Sequence, residues 1–191
     1  KVSASYRATD NVMAFVNTSR GYRVGGVQYG VALLPQPQSP VPEVFKSDTV
    51  WSLESGLRTE WRDKTLRLDA TGFVVTWNNP QYYTLDAAGN SYYLTNVGGV
   101  KTVGAEGAFQ WLSPWAVMVN FTAAYANTVT TKVFKAPNGN DAPPGSPWPY
   151  SPKWQTATTV ALPIPIGSWN LLTGVTYTTL GKTIADLSSE L

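Results

Sequence analysis

From Val50 to Trp61, in VWSLESGLRTEW, apolar and polar residues alternate almost without a break. Trp51, Leu53, Leu57 and Trp61 fall on one parity, and Ser52, Glu54, Arg58 and Glu60 on the other. Successive side chains of a strand point to opposite faces, so this run carries an apolar row closed at both ends by tryptophan and a charged row behind it. It is about twice as long as an ordinary soluble strand. The same alternation predicts strands at about Val2 to Arg7, Val12 to Tyr22, Leu66 to Trp77, Val100 to Leu112, Ala116 to Thr128, Lys153 to Ile164 and Trp169 to Leu180. Almost nothing in the chain reads as helix.

The connections are of two kinds. ATDN, RDKT, LSPW and PIGS are tight turns of Asp, Asn, Pro, Gly and Ser, whereas Arg23 to Thr49, Asn79 to Gly99 and Val129 to Pro152 are long. Short and long connections therefore strictly alternate, which is how outer-membrane barrels are built, with short periplasmic turns and long extracellular loops. The ten steps from Trp51 to Trp61 stand roughly 23 Å apart along the normal of a bilayer if the strand tilts by about 45°. That matches an apolar band between two aromatic girdles. Trp115 and Tyr125 repeat the spacing, and Trp169 and Tyr177 do so at a slightly shorter interval.

The other parity reads as the lumen side: Arg67, Asp69 and Thr71, then Glu106 and Gln110, then Asn120 and Thr122. Phe73 and Trp77 have the wrong parity for the apolar face, which leaves open either a bulge near Gly72 or large apolar side chains pointing inward. VMAFVNTSRGY is apolar on both parities at its start and is equally open. The fold class that follows is all-β, an antiparallel transmembrane β-barrel section of about eight long strands. The alternative is a soluble β-sandwich whose apolar rows face a second sheet.

Composition removes several functions. The 191-residue chain has a formal charge of +2 with acids and bases interspersed, so it offers no basic stripe to nucleic acid. It contains no Cys and no His, which excludes thiol nucleophiles, His-based triads and Cys or His zinc sites. No run of about 18 apolar residues could form a membrane-crossing helix. Carboxylate pairs such as Glu54 with Glu60, or Asp69 with Glu106, sit among Arg58 and Arg67 and read as ion pairs rather than as an acid and base, so no enzyme is expected. Neither a cofactor nor a metal is expected: Asp141 in NGND is a single hard ligand.

Three stretches carry a family resemblance: VNTSRGYRVGG at Val16 to Gly26, SLESGLRTEWRDKTLRLDATGFVVTWNNPQ at Ser52 to Gln81, and TNVGGVKTVGAEGAFQWLSPW at Thr95 to Trp115. Together they resemble the β-barrel of a TonB-dependent outer-membrane receptor. Ser19, Arg20, Gly21, Tyr22 and Arg23 match its Ser-Arg-Gly-aromatic-Arg element. Glu54, Gly56, Leu57, Arg58, Asp63, Trp77, Asn78 and Gln81 match its Glu-x-Gly-Leu strand, turn and return strand. Asn96, Gly98, Gly104 and Glu106 match its next strand, and YSPKW at Tyr150 to Trp154 is similar to the entry of a late one.

The resemblance implies a 22-stranded barrel filled by an N-terminal plug and energised through a TonB box. On that basis residues 1–191 are expected to be an internal section of the barrel domain, with plug and TonB box outside this chain. The implied function is TonB-coupled uptake of a scarce nutrient, an iron-siderophore complex by resemblance, at the bacterial outer membrane. The implied partners are outer-membrane lipid, the plug of the same full-length chain, TonB and a small-molecule ligand, with no nucleic acid. A small passive or structural barrel and a soluble carbohydrate-binding sandwich are the alternatives. Candidate ligand-binding residues are the aromatic and arginine side chains in or beside the long segments: Tyr22, Arg23, Tyr29, Tyr82, Tyr83, Tyr92, Tyr93, Trp148 and Tyr150. Such side chains give rigid contact area at low entropic cost, though near strand ends they also serve as girdle or loop-packing residues.

Overall fold

The computed structural model describes residues 1–28, 41–86, 92–136, 139 and 141–187. Eight long strands form one antiparallel sheet in the order β1 (Val2–Thr9), β2 (Val12–Arg23), β5 (Asp48–Trp61), β6 (Leu66–Asn78), β9 (Gly99–Leu112), β10 (Met118–Thr130), β11 (Trp154–Ile166) and β12 (Trp169–Leu180). Each long strand pairs with the next long strand along the chain, so the sheet is an up-and-down meander with β1 and β12 at its open edges. Two short hairpins project from one end: β3 (Gly26–Val27) with β4 (Val44–Phe45), and β7 (Gln81–Leu85) with β8 (Tyr92–Asn96). These hairpins lie inside two of the segments that read from sequence as long connections.

The long strands fall where the alternation predicts them, with ends displaced by up to two residues. β10 begins at Met118 rather than Ala116, because Ala116 sits at φ 60° in a turn closed by Ser113 N–H donating to Val117 O at 2.9 Å. The RDKT turn is made by three successive left-handed residues, Arg62, Asp63 and Lys64, at φ 52°, 53° and 69°. The strand register slips once, between Arg7 and Thr9 against β2, which alternation alone does not reveal.

Pairing fixes which side chains share a face. Trp51, Leu53 and Leu57 on β5 lie in rows with Thr76, Val74 and Ala70 on β6, and this face stays exposed: Leu53 is 53 % and Leu57 48 % accessible. Glu54, Arg58 and Glu60 lie opposite Phe73, Asp69 and Arg67 on the other face, where Glu60 and Arg67 form an ion pair. That inner face curves around a trough lined by Arg58, Asp69, Thr71, Glu106 and Thr122, contributed by four successive strands. The polarity is inverted relative to a soluble domain. The accessible surface, 12783 Å², exceeds the roughly 8,900 Å² usual for a compact soluble chain of this mass, as it must when neither face of the sheet is covered.

The two sequence ambiguities resolve through glycine. β5, β6 and β9 pair without a shift around Gly72, so there is no bulge, and Phe73 and Trp77 point inward. Phe73 lies over Gly104, its direct cross-strand partner, and Phe15 lies over Gly56 in the same way. A bare backbone opposite an aromatic ring gives the ring a flat seat inside a crowded sheet. Phe15 is also capped by the Arg58 guanidinium, 5.0 Å from its ring centre.

The buried core lies not under the sheet but at the end from which the long segments leave. Val97, Phe134, Ala136, Ala142 and Leu187 are buried together, with Tyr82 and Trp148 against them. A Cβ on Gly56 would collide with the carbonyl of Ala70 and approach the Phe15 ring to 2.8 Å, whereas one on Gly72 meets nothing within 4 Å. Gly56→Ala and Gly104→Ala are each expected to lower stability by about 1–3 kcal/mol and Gly72→Ala to leave it unchanged or slightly raised, as measured by urea unfolding in detergent.

Candidate functional site at the long-loop end

Arg23 closes β2 and Asp48 opens β5, and their pairing in register brings them together. The Asp48 carboxylate is 2 % exposed and is saturated with donors. Arg23 donates its backbone N–H to Oδ1 at 3.2 Å, its Nε to both oxygens at 3.2 and 3.0 Å, and its Nη2 to Oδ2 at 2.5 Å; Gln81 N–H adds a bond to Oδ2 at 3.1 Å. The same guanidinium lies over the Trp77 ring, 5.0 Å from its centre, and donates to Gln81 O at 3.3 Å. One charged pair thus ties the tops of β2, β5 and β6 to the first residue of the β7 hairpin.

Side-chain amides extend the tie. Gln81 Nε2 donates to Val24 O at 2.8 Å and Lys46 O at 3.1 Å. Asn96 Nδ2 donates to Lys46 O at 3.0 Å and Asn79 O at 2.8 Å, while its Oδ1 accepts from Lys46 N–H at 2.7 Å. Gln28 reaches from beyond β3 to β8, donating to Leu94 O at 3.0 Å and accepting from Leu94 N–H at 2.7 Å. An amide offers donors and an acceptor at once, so each of these side chains joins two loop backbones as a strand would. Asp48, Asn96 and Gln28 were not among the residues singled out from sequence as site candidates. Gln81 and Asn96 do belong to the quoted motifs, which was the available signal.

The second element is aromatic. Tyr82 packs edge-on to Trp148 and Phe134, with ring centres 5.3 and 5.7 Å away, and Trp148 lies 5.8 Å from Trp77. The Tyr82 hydroxyl accepts a bond from Leu187 N–H at 3.2 Å, so the segment after β12 is held against the β7 hairpin. Burial pushes the Tyr82 hydroxyl up to about 12, and burial likewise raises Tyr93.

The candidate residues therefore separate by place. Tyr82 and Trp148 are packed against the loop cluster, Tyr93 is buried on β8 opposite Thr84, and Arg23 belongs to the clasp. Tyr22 stands 74 % exposed on the apolar outer face. Tyr83 and Tyr92 share the outward face of the β7–β8 hairpin on diagonal positions, 66 % and 71 % exposed, and Tyr150 is open at 75 %. Tyr29 lies outside the described residues. Asp141 is paired with Lys135 and accepts the Ala136 N–H at 3.1 Å; no cluster of metal-ligating side chains occurs among the described residues.

An open, up-and-down antiparallel sheet with an apolar outer face, a polar trough and ordered loops at one end is a section of a transmembrane β-barrel. The chain belongs to the TonB-dependent receptor family: the model of the TonB dependent receptor-like β-barrel matches residues 1–190. Among solved structures it is similar to the ferric yersiniabactin uptake receptor FyuA of Yersinia pestis, with a TM-score of 0.70, 18 % identity, and 99 % of this chain covered. It is also similar to BauA, the ferric preacinetobactin receptor of Acinetobacter baumannii, with a TM-score of 0.67, 18 % identity and 97 % of this chain covered. The siderophore receptor PiuA of Acinetobacter baumannii matches with a TM-score of 0.67, 16 % identity and the same coverage. The chain spans 26 % of the length of each of these three.

Two outcomes test this geometry. Arg23→Ala leaves a buried carboxylate without its cation and should cost about 3 kcal/mol, whereas Asp48→Ala leaves a half-exposed guanidinium that water can solvate and should cost less. Trypsin cleavage at Lys46 should accelerate in the first variant. For Tyr82, the folded pKa lies above the ordinary value near 10, so its contribution to stability is complete below about pH 10 and is lost as the pH rises towards 12. Ultraviolet titration should show the last tyrosinate component missing in Tyr82→Phe, with Trp148 emission changing over the same interval in the wild type only.

Proposed function

We propose that this chain is the section of an outer-membrane receptor barrel that presents extracellular binding loops for a ferric siderophore, imported with energy delivered through TonB. The supporting observation is the pairing of an apolar outer face with a cross-linked long-loop end that displays Tyr83, Tyr92 and Tyr150, in a family whose solved neighbours above are siderophore receptors. The outer face is solvated by lipid, the long-loop end lies outside the cell and the four tight turns face the periplasm. The polar trough with Arg58, Asp69 and Glu106 faces a plug domain supplied by the rest of the full-length chain, which also carries the TonB box. As a transporter segment the chain makes and breaks no covalent bond of its ligand.

The clasp and the loop core have a definite task in this reading. Ligand affinity depends on how little freedom the contact residues lose on binding, and hairpins already fixed by Arg23, Gln81, Asn96 and Tyr82 lose little. The exposed tyrosines supply the contact area.

Replacing both Tyr83 and Tyr92 by Ala in the full-length receptor should weaken ferric-siderophore binding about tenfold or more, read by quenching of tryptophan emission, with unfolding unchanged. Undiminished binding would remove these residues from the site. For the lipid assignment, Leu57→Arg should cost about 2–4 kcal/mol in bilayers and Asn120→Arg, on the trough side, little. Equal costs on the two faces would argue against it.

A further inference from the structure

We propose that Arg20, Trp51 and Lys101 form a binding site on the outer face for a lipid bearing two phosphates, a bisphosphorylated glycolipid of the outer leaflet. The inference rests on the lipid-facing reading of that face. Register places Arg20 opposite Trp51, Trp51 opposite Thr76 and Thr76 opposite Lys101, so the three residues lie in one row across β2, β5, β6 and β9 and share one face. The Arg20 guanidinium rests against the Trp51 ring, 5.4 Å from its centre.

Charge on this face is otherwise absent. On the outward parity of the eight long strands Arg20 and Lys101 are the charged residues, and no acid accompanies them. The remaining strand charges, such as Glu54, Arg58, Arg67, Asp69 and Glu106, point to the trough. The two cations are also confined to one end. They sit within three residues of the strand ends from which the long segments leave, Arg23 of β2 and Gly99 of β9. The corresponding row near the tight turns holds Trp61, Leu66, Trp111 and Val119, which carry no charge.

A cation on a lipid-facing wall is costly in hydrocarbon and favourable at headgroup level against a phosphate. Both side chains are exposed and long enough to lift their charge to that level while their stems lie on the apolar surface. Arg20 is held by an aromatic ring that leaves its outer edge free to donate two bonds to one phosphate. Three interstrand spacings separate it from Lys101, roughly 14 Å, too far for a single phosphate and within the span of a disaccharide phosphorylated at both ends. Cations that merely rise to water would show no preference among anionic lipids.

Native mass spectrometry of the full-length receptor in non-ionic detergent tests the site, offering bisphosphorylated lipid A, its monophosphorylated form, phosphatidylglycerol and phosphatidylethanolamine at equal concentration. The bisphosphorylated form should be retained best. Arg20→Gln or Lys101→Gln should each reduce that retention about fivefold, to the level of the monophosphorylated form, and the double variant should abolish it. Arg67→Gln, which removes a cation from the trough face, should leave retention unchanged, and strand circular dichroism confirms that each variant is folded. Equal retention of phosphatidylglycerol, or full retention by a folded double variant, overturns the site while leaving the barrel assignment standing. A chain that stays monomeric in water without detergent overturns the barrel assignment itself.

Discussion

Between its two open edges, every peptide group beneath the exposed apolar wall has to find its hydrogen-bond partner inside the sheet, because the solvent that suits such a wall offers none. This requirement explains the architecture more completely than any side-chain contact. It favours long strands, nearest-neighbour antiparallel pairing and registers that run without interruption across β2, β5, β6, β9 and β10. It also explains where irregularity is permitted. The one register slip falls beside the turn between β1 and β2, and the left-handed residues Arg62, Asp63 and Lys64 fall in another turn, both at strand ends.

With the backbone satisfied, side chains are free to specialise by face. Outward positions carry Leu, Val, Ala and Thr between aromatic residues. Inward positions carry the ion pairs and also two phenylalanines seated on glycine backbones, Phe15 on Gly56 and Phe73 on Gly104. These inward rings fill space on a face that is otherwise polar.

The long-loop end obeys different rules because it can use a conventional core. Phe134, Val97 and Leu187 bury against Tyr82 and Trp148, and the amides of Gln28, Gln81 and Asn96 cross-link the short hairpins and loops that lie beyond the eight-stranded sheet. Asp48 joins the two regimes, since it lies at the first residue of β5 and receives donors from both the sheet and the β7 hairpin. Ordered hairpins on a rigid rim hold Tyr83 and Tyr92 in fixed positions, as the proposed binding role requires.

Alternation along the chain determined the eight strands, their faces and the order of short and long connections, because side-chain parity in a strand is a local property that neighbours in sequence already reveal. Tight-turn chemistry determined the meander for the same reason. What only the tertiary structure decided is which residues meet across strands. Phe73 and Trp77 break parity in the sequence, and their reason is visible only once Gly104 stands opposite the first and Arg23 lies over the ring of the second. Tyr82 and Tyr83 are adjacent and chemically identical, yet one packs under Trp148 and the other faces solvent, since hairpin pairing turns them to opposite sides. The Arg23–Asp48 clasp and the row from Arg20 to Lys101 join residues 25 and 81 positions apart (48 − 23 and 101 − 20), distances at which no local pattern carries information.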